Sequence, residues 1–172
     1  MIKQFKSGDF VKGTKEFYKH CDTDSTFITL HDCYSKKISL NDDILSFNFE
    51  NGFWITSGHK HNNLNETVRT DPSRVDFCIR QDDCDEMTIY VFQKKFFGST
   101  IRKEWSLDKL IDLVNNRGFS IEFLYQYESC NAQIIDCRLH FNKKPYHYEY
   151  QIKISVSKVI YHWNNLCKNQ KW

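Results

Sequence analysis

A chain of 172 residues with 40% hydrophobic and 27% charged residues is long enough for one globular domain, spanning 1–172, with a buried core. Its balance is neither that of a disordered tail nor that of a membrane protein. Twenty-four basic residues stand against 22 acidic ones, a formal net charge of +2, and their interspersion excludes a strong field toward phosphate or anionic lipid. No run of about 18 apolar residues could span a bilayer, and the first residues lack the apolar stretch of a signal peptide, so a cytoplasmic location is expected.

Fourteen Phe, nine Tyr, 18 Lys against six Arg and a single Ala, Ala132, follow AT-rich codons, so the aromatic content by itself is weak evidence for a nucleic-acid partner. It still has a structural consequence: Ile, Phe, Tyr and Val suit pleated, half-buried surfaces, whereas the best helix former is nearly absent. The seven cysteines, Cys21, Cys33, Cys78, Cys84, Cys130, Cys137 and Cys167, form no C-x-x-C pair. They are expected to be reduced thiols, most of them small core hydrophobes.

In chain order, a short helix is weakly suggested over 14–21. A first β unit begins at Thr26, runs through Cys33 to Leu40 and turns at Asn41-Asp42-Asp43 into Ile44 to Phe49, whose Leu45, Phe47 and Phe49 share one face. Asn51-Gly52 is a favoured hairpin pair leading into Phe53-Trp54-Ile55-Thr56. Residues 57–73 lack periodicity and read as a long loop. A second β unit follows: Val75, Phe77 and Ile79 alternate, an acidic turn spans 82–86, Met87, Ile89 and Val91 alternate, and a strand runs from Phe96 to Trp105. Ser106 caps a helix over about 106–117, with Leu107, Leu110, Ile111 and Val114 on one face and Gly118 as its stop. A third β unit takes 119–128, 135–141 and 146–156, and a further helix is suggested over 157–166 by Val159, Ile160 and Trp163. The expected fold is α+β and β-rich: about nine mostly antiparallel strands in three meanders with one secure helix.

Candidate chemistry is sparse. His59-x-His61 with His31-Asp32 could supply metal ligands for a hydrolase, although a solvated loop with two histidines is the better explanation of the first pair. No phosphate-loop glycines, nucleophile elbow or calcium loop are present, and no cofactor is expected. Arg69-Thr70-Asp71-Pro72-Ser73-Arg74 places two of only six Arg around an Asp-Pro turn, either as a binding element or as an internal anchor for the 57–73 loop. If that loop is a recognition surface, His59, His61 and Asn63 are its contact residues, and Arg69, Asp71 and Arg74 hold its ends. Trp54, Trp105 and Trp163 read as core, and Trp172 as mobile or docked on a neighbour.

The run Leu30-His31-Asp32-Cys33, with the later Ile44-Leu45-Ser46-Phe47-Asn48-Phe49-Glu50-Asn51-Gly52-Phe53-Trp54-Ile55, resembles small uncharacterised cytoplasmic proteins of low-GC bacteria. It also resembles the opening of some immunity proteins of bacterial polymorphic toxin systems. The resemblance covers about residues 27–56 and carries over His31 and Asp32 as matched positions without a catalytic role. A net positive charge departs from what an inhibitor of a cationic nuclease would show. The expectation is a non-enzymatic binding protein whose partner is a protein, a toxin being the specific case. The rivals are the metal-assisted hydrolase and a single-stranded nucleic-acid binder, the latter disfavoured by the mixed charge.

Overall fold

The computed structural model describes residues 18–80, 87–94, 98–129 and 132–172. Within them the chain forms β1 (His20–Asp22), β2 (Ile28–Thr29), β3 (Cys33–Ser35), β4 (Lys37–Asn41), β5 (Ile44–Phe49), β6 (Trp54–Ile55) and β7 (Val68–Thr70). β8 (Ser73–Ile79), β9 (Met87–Lys94) and β10 (Thr100–Trp105) come next, then helix α1 (Leu107–Ile111), which widens into a π-turn at Asp112–Asn116. β11 (Ser120–Ser129), β12 (Ala132–His140), β13 (His147–Trp163) and β14 (Leu166–Lys171) complete it. The class is α+β and β-rich with antiparallel sheets and one helical segment, but the described strands number 14 rather than nine.

The expected three meanders are merged by one strand. β13 is 17 residues long. Its first half pairs with β12 and β9, and its second half with β8 and β1. The strands expected to be consecutive, β8 and β9, therefore both pair with β13, while β9–β10 and β11–β12–β13 pair as neighbours in sequence. Only Lys36 separates β3 from β4; β3 pairs with β11 and β4 with β5. The path β3-β11-β12-β13-β8-β5-β4 thus begins and ends on two strands of one chain segment, which brings its two ends together. Alternate residues fill the inside: Phe47, Phe77, Phe123, Ile135, Leu139, Ile152 and Ile154 are fully buried. Phe47 packs edge-on against both Phe77 and Phe123 at 5.8 and 5.2 Å, the geometry favoured by ring quadrupoles.

The remaining gap beside β4 is covered by the helix. Ser106 caps it, its Oγ accepting from Lys109 N at 3.3 Å, and Leu110, Leu113 and Val114 are its buried face. The last turn carries Asn115 against β4, and Gly118 ends the segment at φ +70°. No helix among the described residues is long and apolar enough to cross a membrane.

Four sequence expectations are corrected. Residues 157–166 are not helical: β13 continues to Trp163, and its buried set is Val159, Tyr161 and Trp163, a period of two. Val159 and Trp163, four residues apart, lie on one strand face and also fit a helical turn, whereas Ile160 lies on the other face; a register shift between Val156 and Lys158 precedes them. Asn51-Gly52 turns the chain but makes no hairpin. Gly52 N donates to Phe49 O at 3.1 Å, only Gly52 of the pair has positive φ, and the chain leaves for a second, four-stranded sheet ordered β14-β7-β6-β2. The 57–73 loop is shortened by β7 and by the start of β8 at Ser73. Of the suggested 14–21 helix, residues 14–17 lie outside the described residues and the rest leads into β1. The acidic turn at 82–86 and the start of the strand expected from Phe96 also lie outside them; that strand is described from Thr100 to Trp105.

Candidate binding site

β11 carries an extra residue at Leu124, where its register against β12 shifts between Phe123 and Tyr125. The turn Leu30–Cys33 docks onto this irregularity. Asp32 takes φ +55°, a conformation Asp tolerates better than most residues, and its N–H donates to Phe123 O at 2.8 Å. His31 Nδ1 hydrogen-bonds Leu124 O. A carbonyl can only accept, so Nδ1 carries the proton and Nε2 is left facing Asp32 Oδ2 at 3.6 Å.

Around His31 the two sheets contribute a run of stacked rings. Trp172 lies parallel to His31 at 5.7 Å, and Trp54 meets Trp172 at 5.2 Å. The Arg69 guanidinium covers Trp54 at 4.6 Å and donates to Asp32 O at 3.4 Å. On the other side Tyr125 meets His31 at 5.3 Å and Tyr127 meets Tyr125 at 6.4 Å. Tyr125, Tyr127 and Trp172 are 57%, 54% and 62% exposed, so this is a platform rather than a core. Between β2 and β11 it opens into a groove of about 470 Å³ lined by Ser25, Ile28, Thr29, Leu30, Gln126 and Glu128 among others, a size suited to a small ligand or a short chain segment. Beneath it, burial pushes the Cys33 thiol up to about 11 despite the nearby Arg69, which leaves a sulfur that packs rather than attacks.

Of the sequence candidates, His31, Asp32 and Arg69 come together here. Trp54, Trp172, Tyr125 and Tyr127 were missed as site residues. The two tyrosines at i and i+2 were legible as one strand face, but nothing local says that the face stays open. Trp54 is half-buried, packs against the core and also closes the platform.

His59 and His61 belong to a different group. His59 is buried, not a solvated loop residue. Its Nδ1 accepts His61 N at 3.2 Å, so its proton sits on Nε2, which faces Asp22 Oδ2 at 3.3 Å. Lys60 Nζ holds the same carboxylate oxygen at 2.7 Å. Burial raises the Asp22 pKa, but Lys60 and the N–H groups of Asp24 and Thr23 outweigh it and hold the carboxyl at about 2. Burial keeps His59 below its usual value. His20 and His61 pack at 4.3 Å, and both rings, with His59, surround Trp163. Among the described residues no three His, Cys, Asp or Glu side chains converge as metal ligands, so His31, Asp32, His59 and His61 do not make one centre.

The loop anchor is Asn62 rather than its exposed neighbour Asn63. Asn62 Nδ2 donates toward Ile55 O, Thr56 O and Glu66 O at 2.9–3.0 Å, and its Oδ1 accepts Leu64 N at 3.1 Å. Asp71 ties the end of β7 to the turn after β13, accepting Asn164 N at 3.1 Å and Asn165 Nδ2 at 2.9 Å. Arg74 grips the buried carboxylate of Asp76 at 3.0 Å, which also accepts from Ser46 Oγ at 2.6 Å and pairs with His162 at 2.9 Å. Asp71 and Arg74 are thus internal anchors.

Comparison with known protein families, with curated proteins and with solved structures found no match.

Proposed function

We propose that this chain is a non-enzymatic cytoplasmic binding protein that engages a protein partner through the groove between β2 and β11, with neutralisation of a toxin as its specific role. The observation that carries the reading is the exposed ring platform of Tyr125, Tyr127, Trp172 and His31 beside that groove. Large amphipathic rings that stay exposed in an otherwise well-filled fold are the kind of residue that anchors interfaces. The candidate hydrolase residues fall into two separate groups, and the groove's thiol is held protonated, which supports binding over catalysis. The resemblance of residues 27–56 to immunity proteins supports the toxin-directed role.

The test is co-expression with the products of the reading frames flanking the gene, followed by co-purification. A stoichiometric complex that survives purification, and is lost in the Tyr125→Ala, Tyr127→Ala double variant, is the expected result. Both rings are exposed, so this variant keeps its fold. A complex indifferent to that variant moves the interface elsewhere, and the absence of any complex removes the toxin-directed role. Stacked exposed rings also suit single-stranded nucleic acid. Among the described residues lining the groove, Glu128 is the one formally charged side chain apart from His31, so retention on single-stranded DNA is expected to be negligible at physiological salt.

A further inference from the structure

The hydrogen-bonding edges of the groove's two walls have an unusual arrangement. Along its whole length β11 pairs with β12, but on its other side β3 reaches only Ile121, Glu122 and Phe123. From Leu124 to Ser129 that second edge has no strand beside it among the described residues. Alternate N–H and C=O groups of an antiparallel strand point to each side; Leu124 O is taken by His31, and over Tyr125 to Ser129, about 17 Å of chain at the strand rise, the outward groups have no strand partner among the described residues. The opposite wall is β2, the last strand of the four-stranded sheet. Leu124-Tyr125-Gln126-Tyr127-Glu128-Ser129 contains neither lysine nor proline; the bulge at Leu124 and the charge of Glu128 are its only edge-blunting features.

We infer that this edge binds an extended, basic segment of a partner protein as an added β-strand; the inference rests on the protein-binding reading and specifies its mode and ligand chemistry. Three features select that occupant. A slot with a wall on each side admits a single strand, whereas the edge of a second folded copy would bring its own neighbouring strands into β2 and Trp172. Among the described residues the groove is lined by one side-chain carboxylate, Glu128, and by no lysine or arginine, and the Asp32 carboxylate stands exposed beside His31. Arg69, stacked on Trp54 and bonded to Asp32 O, keeps its positive charge and bounds the acidic stretch at the His31 end; Lys158, which lines the adjoining cavity that begins at Ser25 and Glu128, bounds it at the other. Finally, Tyr125 and Trp172 offer ring faces on which a lysine or arginine stem can lie, its charge held by the ring quadrupole. Backbone pairing then supplies affinity and the alternate side chains supply selectivity.

The experiment uses the full chain as bait for a displayed library of random segments of about twelve residues. Enriched sequences are expected to alternate apolar with Lys or Arg. Bound peptide is expected to slow amide exchange of alternate residues within 124–129 by about tenfold or more, and N-methylation of alternate peptide nitrogens is expected to abolish binding. Glu128→Lys should weaken the enriched peptides at least about tenfold without changing the melting temperature. Enrichment of acidic sequences, binding unaffected by N-methylation, protection elsewhere than 124–129, or no enrichment at all each overturn the inference. Binding that survives N-methylation but is lost in the tyrosine double variant would overturn strand addition while leaving the protein-binding reading intact.

Discussion

The carboxamide of Asn115 bonds both backbone groups of Ile38, its Oδ1 accepting Ile38 N at 2.9 Å and its Nδ2 donating to Ile38 O at 2.7 Å. Ile38 faces Phe47 across the β4–β5 ladder, and its own N–H and C=O are turned to the other side, where Asn115 takes the place of a neighbouring strand. Asn115→Ala removes both bonds from a half-buried site. It is expected to lower unfolding free energy by about 1–3 kcal/mol in urea titration, and Asn115→Asp, which keeps the acceptor but loses the donor, should do so too. An unchanged midpoint in both variants would mean that β4 needs no cover there.

Of the four described glycines, Gly52 is the most closely approached by neighbouring backbone. It sits at φ +72°, and a Cβ placed on it would lie 2.1 Å from the carbonyl oxygen of Thr70, whose Oγ1 in turn accepts Phe53 N at 2.9 Å. Gly52→Ala should therefore prevent the second sheet from docking and yield insoluble protein. Gly98→Ala, with positive φ but open space around it, should cost only about 1 kcal/mol. Similar thermal unfolding of the two variants would refute the steric assignment.

The loop anchors make a graded series. Asn62→Ala strips a buried side chain of all its bonds and is expected to cost about 2–4 kcal/mol. Asp71→Ala breaks the tie to Asn164 and Asn165 and should cost about 1–2 kcal/mol. Asn63→Ala, at the exposed position, should leave the melting temperature within measurement error. A reversed order of Asn62 and Asn63 in differential scanning calorimetry would show that the loop is held differently.

Acid should destabilise the protein in two stages. His59 is held below its ordinary 6.5 by burial. As pH falls through 6.5 the unfolded chain takes up a proton there that the folded chain refuses, so stability declines from that pH downward. His20, also lowered by burial, acts in the same direction. Asp22 has the carboxylate pattern: its stabilisation is complete above 3.8 and is lost as pH falls toward its folded value of about 2. His59→Asn keeps an acceptor for His61 N but cannot be protonated, and should flatten the first stage while leaving the second. Urea midpoints that stay level from pH 7 to pH 5 in the unmodified chain would contradict the burial of His59.

How much of this was legible in the sequence depends on whether a feature is local. Period-two alternation identified the inward faces of β5, β8, β12 and β13, because side chains of a strand alternate whatever lies next to it. Ser106 and Gly118 marked the ends of the helical segment, and Asn41 to Asp43 were read as a turn, which the pairing of Asn41 with Ile44 makes a two-residue hairpin. Alternation, however, names a face and not a partner. That β8 and β9 share β13 instead of each other, that Asn51-Gly52 sends the chain to a second sheet, and that the chain after Val156 continues as a strand were decided by pairings between distant segments. The site shows the same division. His31, Asp32 and Arg69 could be singled out as unusual residues, but their union with Trp54, Trp172, Tyr125 and Tyr127 required β11 to lose its second neighbour at Leu124 and the four-stranded sheet to stand opposite. An open edge is a property of what fails to pair with a strand, and only the tertiary arrangement determines that.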